Sequence, residues 1–193
     1  LTINDEIEII SGSVVNNGSI VIGDISNFFT GTNTSATKLQ SDNGTLVIPS
    51  SMTIPPVINN IVGSIQVNNS VIATCDYDLN IINNLINNGT FQSTGSSTVT
   101  FNGSSSDQSI SGSGTSNFEK IIFNNISNNL NLTGSQINIS DLMQSINGTI
   151  NQNGSTVVLQ STAKDKAGMI DVGAASADYS YSSGTFTTQR YLT

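Results

Sequence analysis

A short motif, an apolar residue followed by asparagine and then by asparagine or glycine, recurs along the chain at nearly constant spacing. Its first asparagines are Asn16, Asn59, Asn83, Asn102, Asn124 and Asn147, which are 43, 24, 19, 22 and 23 residues apart. The spacing indicates a period of about 22 residues with one double step, and a period of this length is typical of stacked repeats. In such repeats one supersecondary unit buries its apolar face only by lying on the next.

The repeating units have the composition of short β-strands. Phe101 and Phe123 each close a β-branched run, in TVTFNG and KIIFNN, and from Val57 onward the apolar pieces are separated by Asn, Gly or Ser. No window carries apolar residues at helical spacing, and helix-favouring residues are scarce. The sequence therefore predicts an all-β fold.

Two all-β architectures fit many short strands divided by turn residues, a sandwich and a parallel solenoid. The period favours a right-handed parallel β-helix (β-solenoid) of about eight coils, because equivalent residues recur at equivalent places. In-register stacking would let asparagine amides bond along the axis in ladders. An antiparallel β-sandwich remains the alternative. With inward residues stacked in this way, replacing Ile122 or Phe123 by Asp is expected to separate the neighbouring coils.

Composition divides the chain at residue 160. We expect residues 1–160 to form the solenoid, with an irregular excursion at residues 24–40 that accounts for the double step. Residues 161–193 contain most of the alanines and the only arginine, and they are expected to form an irregular C-terminal cap or a junction to a following domain.

Charge is sparse and acidic. Only 9% of the 193 residues are charged, the net charge is -8, and the five basic residues are scattered. Nucleic acid is therefore not an expected partner, because no basic patch is available to neutralise phosphates. No apolar run approaches the length of a membrane span, and membrane insertion is not expected. The chain begins in what reads as mid-strand, so we expect a mature segment or a piece of a longer protein.

The acidic run Asp76-Tyr77-Asp78-Leu79-Asn80 has the alternate spacing of the first ligands of a calcium loop. Asp76, Asp78 and Asn80 are thus weak calcium candidates, since the downstream glycine is missing and position twelve would be Asn87 rather than glutamate. The other interpretation is a solvated acidic corner, and no cofactor is expected. Cys75 is the only cysteine, which excludes an internal disulfide and favours a small buried apolar residue.

Catalysis has little support in the sequence. Carbohydrate cleavage needs paired carboxylates at a fixed separation, or a metal with a basic residue. Between Val57 and Gln160, Asp76 and Asp78 are the only close carboxylate pair, and the chain contains no histidine. We therefore expect no enzyme. The alternative function is a polysaccharide-binding or polysaccharide-active module that uses the Asp76/Asp78 corner.

The stretch TVTFNGSSSDQSISGSGTSNFEKIIFNN, at Thr98 to Asn125, resembles a repeat of large secreted and surface-displayed proteins of Bacteroidetes bacteria, flavobacteria among them. The flanks VVNNGSIVI and LINNGTF are similar to the Asn-Asn-Gly-Thr units of those proteins. The resemblance implies export by the type IX secretion system, with a sorting domain beyond Thr193. Some relatives are adhesins, including those of gliding motility.

The expected function is that of a non-enzymatic structural and adhesive segment of a large bacterial cell-surface or secreted protein. The expected location is extracellular or at the cell surface. The expected partners are the secretion machinery and other cell-surface proteins or surface glycans. The residues expected to repeat structurally are Asn16, Asn59, Asn83, Phe101, Asn102, Phe123, Asn124 and Asn147.

Overall fold

The computed structural model describes residues 2–3, 13–15, 19–22, 38–48, 51–54, 61–163, 166–173 and 175–189. All regular structure in these residues is β. The strands are β1 (Thr2–Ile3), β2 (Ser13–Val15), β3 (Ser19–Ile22), β4 (Lys38–Ile48), β5 (Met52–Thr53), β6 (Ile61–Val67), β7 (Ile72–Cys75), β8 (Leu79–Ile81), β9 (Asn84–Asn87), β10 (Thr90–Ser93), β11 (Thr98–Phe101), β12 (Gln108–Ser111), β13 (Thr115–Leu132), β14 (Gln136–Leu159), β15 (Ser161–Ala163), β16 (Lys166–Ala167), β17 (Met169–Val172) and β18 (Ala177–Thr188).

Strands pair in parallel with the strand one turn further along the chain. Ile65 pairs with Leu85, Leu85 with Ile110, Ile110 with Leu132, and the separations between partners within residues 61–163 are 18 to 25 positions. Only β15 and β16 pair antiparallel among the described strands. The prediction of a parallel β-solenoid is confirmed, and the antiparallel sandwich is excluded, since its neighbouring strands would run in opposite directions.

Each turn of the solenoid contributes one strand to each of three sheet faces. Face 1 contains β7, β10, residues 115–118 of β13 and residues 136–139 of β14. Face 2 contains β8, β11, residues 120–123, residues 142–145 and β17. Face 3 contains the end of β6, β9, β12, residues 130–132, residues 149–152 and the start of β18. The long strands β13 and β14 bend around the corners and therefore serve all three faces.

The number of turns differs from the expectation. The longest continuously described stretch, residues 61–163, forms a solenoid of about four turns, whereas about eight coils were expected for the chain as a whole. Part of the double step in the motif spacing is also explained. β2 pairs with β4, and the paired residues Ser13 and Lys38 are 25 positions apart. One turn of the solenoid therefore lies between Asn16 and Asn59, and this turn lacks the motif. Residues 38–40 of the expected excursion belong to β4, and residues 24–37 lie outside the described residues.

β14 ends at Leu159, next to the expected boundary at residue 160. A short antiparallel hairpin, β15–β16, follows it. β17 and β18 then return to parallel pairing with β14, at separations of 27 to 30 residues. The described part of residues 161–189 thus adds a further, longer turn to the stack.

The core consists of alternate residues that point inward from the three faces. Large and small side chains alternate along the axis of face 1, where Phe91 lies between Ala73 and Ser116 in register. Phe118 occupies the next inward position, and its ring centroid is 5.6 Å from that of Phe91. Such alternation favours close packing of the interior, because each large ring uses the space left by a small neighbour.

The residues that point inward from face 2 correct the expectation that Ile122 and Phe123 are both core residues. Ile121 and Phe123 are fully buried, but Ile122 lies between them and points to the outer side of the sheet. Successive strand residues face opposite sides, so Ile122 and Phe123 cannot both point inward. A charge at Ile122 would therefore not enter the core.

Candidate functional site

The outer surface of the solenoid carries rows of neutral polar side chains that bond from turn to turn. Asn138 Nδ2 donates to Asn117 Oδ1 (2.7 Å) on face 1, and Asn151 Nδ2 donates to Asn131 Oδ1 (3.3 Å) on face 3. These amide ladders form because parallel, in-register stacking places like side chains one above the other. Lys120 and Asp141 form an exposed ion pair at 3.5 Å on this otherwise largely uncharged surface.

The expected repeat residues occupy the corner between faces 2 and 3. Phe101 and Phe123 pair in register and are fully buried just before the corner. Asn147 pairs with Asn124, and its Nδ2 donates to Asn124 Oδ1 (2.7 Å).

The remaining expected repeat residues do not all share this register. Asn102 Nδ2 donates to Asn80 Oδ1 (3.2 Å), in the preceding turn. Because Ile81 pairs with Phe101, Asn83 corresponds to Gly103 rather than to Asn102. Asn16 and Asn59 lie outside the described residues.

This corner widens in two consecutive turns. Ser109 follows Phe101 by eight positions and Asn131 follows Phe123 by eight, whereas Asn84 follows the equivalent Ile81 by only three. The two longer corner loops enclose a cleft of about 410 Å³. We call it the corner cleft; it is lined by Asn102, Gly103, Ser104, Asn124, Asn125 and Ile126.

Buried amides hold the two corner loops in place. Gln108, only 1% exposed, donates through Nε2 to the carbonyl oxygens of Ile81 (2.9 Å) and Asn83 (3.0 Å). Its Oε1 accepts from Gly103 N (3.0 Å) and from Asn125 Nδ2 (3.3 Å). Gln108 thus satisfies all of its hydrogen-bonding groups and ties together three turns.

A carboxylate fixes the outer side of the second loop. Asp107 Oδ1 accepts from the backbone N of Asn129 (2.8 Å), and both carboxylate oxygens accept from Asn129 Nδ2. Hydrogen bonds from the Asn129 side chain and backbone lower the pKa of Asp107, because they favour the charged form.

The structure gives the calcium candidates other contacts. Asp78 Oδ1 accepts from Thr98 N (2.8 Å), and Asn80 Oδ1 accepts from Asn102 Nδ2. Asp76 and Asp78 are exposed at the corner between faces 1 and 2. Among the described residues, no group of three or more His, Cys, Asp or Glu side chains is positioned to hold a metal ion.

Cys75 points inward from face 1 and is fully buried. Its thiol donates to the carbonyl oxygen of Tyr77 (3.2 Å). Burial, with a smaller contribution from the charge of Asp76, raises the pKa of Cys75 to about 11. The thiol is therefore protonated at neutral pH and is a poor nucleophile.

A second concave surface lies on the last described turn. Ile170, Tyr179, Tyr181 and Phe186 line an apolar groove of about 330 Å³. Both hydroxyls are bonded, that of Tyr179 to Gln152 Oε1 (2.7 Å) and that of Tyr181 to the carbonyl oxygen of Gly184 (2.9 Å). The aromatic rings therefore offer an apolar surface at this end of the stack.

Comparison with known proteins gives no match, since no family model, curated protein or solved structure is significantly similar to this chain. The described residues also include no helix of the length and apolarity needed to cross a membrane. Inference about function therefore starts from the surface itself.

Sequence reasoning missed the corner cleft and its support by Gln108 and Asn125. One signal was available: mostly polar runs of five residues, GSSSD after Phe101-Asn102 and NISNN after Phe123-Asn124, stand at equivalent places. Long polar runs at the same corner of adjacent turns lie side by side in a parallel stack. They therefore predict a surface feature once the stacking is known.

Proposed function

We propose that this chain is a non-enzymatic structural and adhesive segment of a large bacterial cell-surface or secreted protein. The observation that supports it best is the stacked architecture with neutral outer rows, in which amide ladders such as Asn117–Asn138 run along the axis. Strands hydrogen-bonded from turn to turn make a stiff rod, and a polar surface with few charges suits contact with other surfaces or with neutral polymers.

The proposal includes an extracellular location and export by the type IX secretion system. The resemblance of Thr98–Asn125 to the repeats of exported Bacteroidetes proteins supports this route. The proposed partners are the secretion machinery and other cell-surface proteins or surface glycans.

Deleting residues 57–160 from the full-length protein in its own bacterium tests the adhesive role. We expect the shortened protein to be exported normally, as measured by surface protease accessibility, and attachment to surfaces to fall. A matched control deletes only Ile72–Gly89, because Ile72 pairs with Thr90 and one whole turn is removed in register without any residue that lines the corner cleft. Unchanged attachment with normal export of the long deletion would contradict the adhesive role, and a protein that never reaches the surface would contradict the location.

The second candidate is a polysaccharide-binding or polysaccharide-active module. Its binding form is favoured by the corner cleft. A polysaccharide-cleaving module would depend on the carboxylates of Asp76 and Asp78. The carboxylate of Asp78 already accepts a hydrogen bond from Thr98 N. A hydrolysis screen of the protein and of the Asp76→Asn/Asp78→Asn variant tests that form; cleavage lost in the variant would support it.

A further inference from the structure

The corner ladder between faces 2 and 3 is interrupted at the corner cleft. In each bonded pair of this ladder the later turn donates to the earlier one: Asn102 to Asn80 at 3.2 Å, Asn147 to Asn124 at 2.7 Å, and Ser176 Oγ to Asn147 Oδ1 at 2.6 Å. Asn102 and Asn124 are equivalent by register, because Phe101 pairs with Phe123. Within the described part of the chain, however, no hydrogen bond joins their side chains.

The interruption leaves one acceptor and one donor beside the cleft. Continuing the ladder would require Asn124 Nδ2 to donate to Asn102 Oδ1. Neither atom bonds another described residue, and both asparagines are exposed and line the cleft. Polar atoms in a cleft of about 410 Å³ are available to a ligand that can both donate and accept.

We propose that the corner cleft binds a sugar unit of a neutral polysaccharide. One sugar hydroxyl donates to Asn102 Oδ1 and a neighbouring hydroxyl accepts from Asn124 Nδ2, which completes the ladder through the ligand. Ile126, 68% exposed at the rim, packs against the C–H face of the ring. The two amides would fix the orientation of the sugar, and the isoleucine would supply the apolar contact.

The lining determines the charge of the ligand. The six residues of the corner cleft are all uncharged, so the cleft offers no cation to an acidic sugar or a phosphate. The nearby carboxylate of Asp107 is bonded to Asn129 and would repel an anion. A neutral polyhydroxylated ligand fits this environment.

The cleft is held in shape before a ligand arrives. Gln108 bonds Gly103 N, and Asn125 donates to the carbonyl oxygen of Ser106 (3.0 Å) and accepts from Asn128 Nδ2 (2.7 Å). Because these amides are already ordered, binding does not have to order the two loops. The inference rests on the binding form of the second candidate function and names its site. It does not depend on the adhesive role, since the cleft can bind a glycan wherever the segment is located.

The test uses the purified chain and a panel of neutral oligosaccharides of glucose, mannose, galactose and N-acetylglucosamine, with binding measured by calorimetry and NMR. Asn124→Asp is the decisive variant, because it keeps an oxygen that can accept from Asn147 and replaces the amide donor beside the cleft by a charged oxygen. Asn117→Asp is the matched control: it makes the same substitution at a residue that accepts from Asn138 on face 1, outside the cleft.

We expect at least one panel member to bind and to shift the side-chain amide signal of Asn124 but not that of Asn117. Asn124→Asp should weaken binding about tenfold or more, which corresponds to about 1.4 kcal/mol, and Asn117→Asp should not. Ser104→Leu places a larger side chain in the cleft from an exposed position and should also abolish binding. Because this variant leaves Asn124 unchanged, it tests the cleft even if Asn124→Asp misfolds. Failure of every panel member to bind, or equal binding by both Asn→Asp variants, would overturn the inference and leave the attachment experiment unaffected.

Discussion

Individual amide side chains do two different things in this protein, depending on the side of the sheet on which they lie. Outward amides, such as those of Asn124 and Asn147, bond their neighbours in ladders that water can also satisfy. Inward amides at corners, such as that of Gln108, replace water for backbone groups that the turn leaves unpaired. The second class therefore contributes more to stability than the first.

Replacing Gln108 by Ala tests this difference. The variant leaves the backbone N of Gly103 and the carbonyl oxygens of Ile81 and Asn83 without that partner, so we expect the free energy of unfolding to fall by about 2 to 4 kcal/mol. Gln92→Ala is the control, because it removes one outward bond to Thr74 Oγ1 (2.9 Å) and should cost less than about 1 kcal/mol. Urea denaturation followed by circular dichroism measures both, and equal losses would contradict the argument.

Asp107 should make stability depend on pH in the acid range. Its pKa in the folded chain lies below the ordinary value of 3.8, so its stabilising contribution is complete above that value and is lost as the pH falls through the lower, folded pKa. We expect the urea midpoint of the wild type to fall more steeply from pH 5 to pH 3 than that of Asp107→Asn. If the urea midpoints of the two proteins fall in parallel with pH, the hydrogen bonds between Asp107 and Asn129 do not contribute to stability.

At the scale of the strand, the two-residue period decides which substitutions the fold tolerates. Phe123→Asp places a charge in the closed interior and removes a buried ring, and we expect it to cost about 4 kcal/mol or more. Ile122→Asp changes a half-buried residue on the outer side of the same strand, so the cost should be about 1 kcal/mol. Chemical denaturation and soluble yield measure both variants, and comparable damage from both would contradict the inward register of face 2.

The same strands show what a single sequence can predict. The spacing of the Asn motifs predicts parallel stacking, because only equivalent positions in successive turns repeat at a constant distance. It does not predict the register within a turn, since corner loops change length: three positions separate Ile81 from Asn84, but eight separate Phe101 from Ser109. The corner cleft could not be predicted for the same reason, as it depends on which residues two loops bring together.

At the scale of the whole molecule, stability is a sum of contacts between neighbouring turns rather than a property of one central core. Each inner turn is bonded on both sides, as residues 120–123 are to β11 and to residues 142–145. The turn formed by β17 and β18 pairs only with β14 among the described strands. In a stack of this kind the end turns open first, because opening them breaks contacts on one side only.

Native-state hydrogen exchange tests whether the end turn opens before the inner turns. Two backbone amides whose hydrogen bonds are alike in length are compared. Thr115 N donates to the carbonyl oxygen of Gly89 (2.9 Å) in an inner turn, and Gln189 N donates to that of Leu159 (2.8 Å) in the last described turn. We expect Gln189 to exchange faster than Thr115 by about tenfold or more, because a difference of about 1.4 kcal/mol in opening free energy already has that effect. Equal protection would mean that the turns open together, and the additive description of the stack would then be wrong.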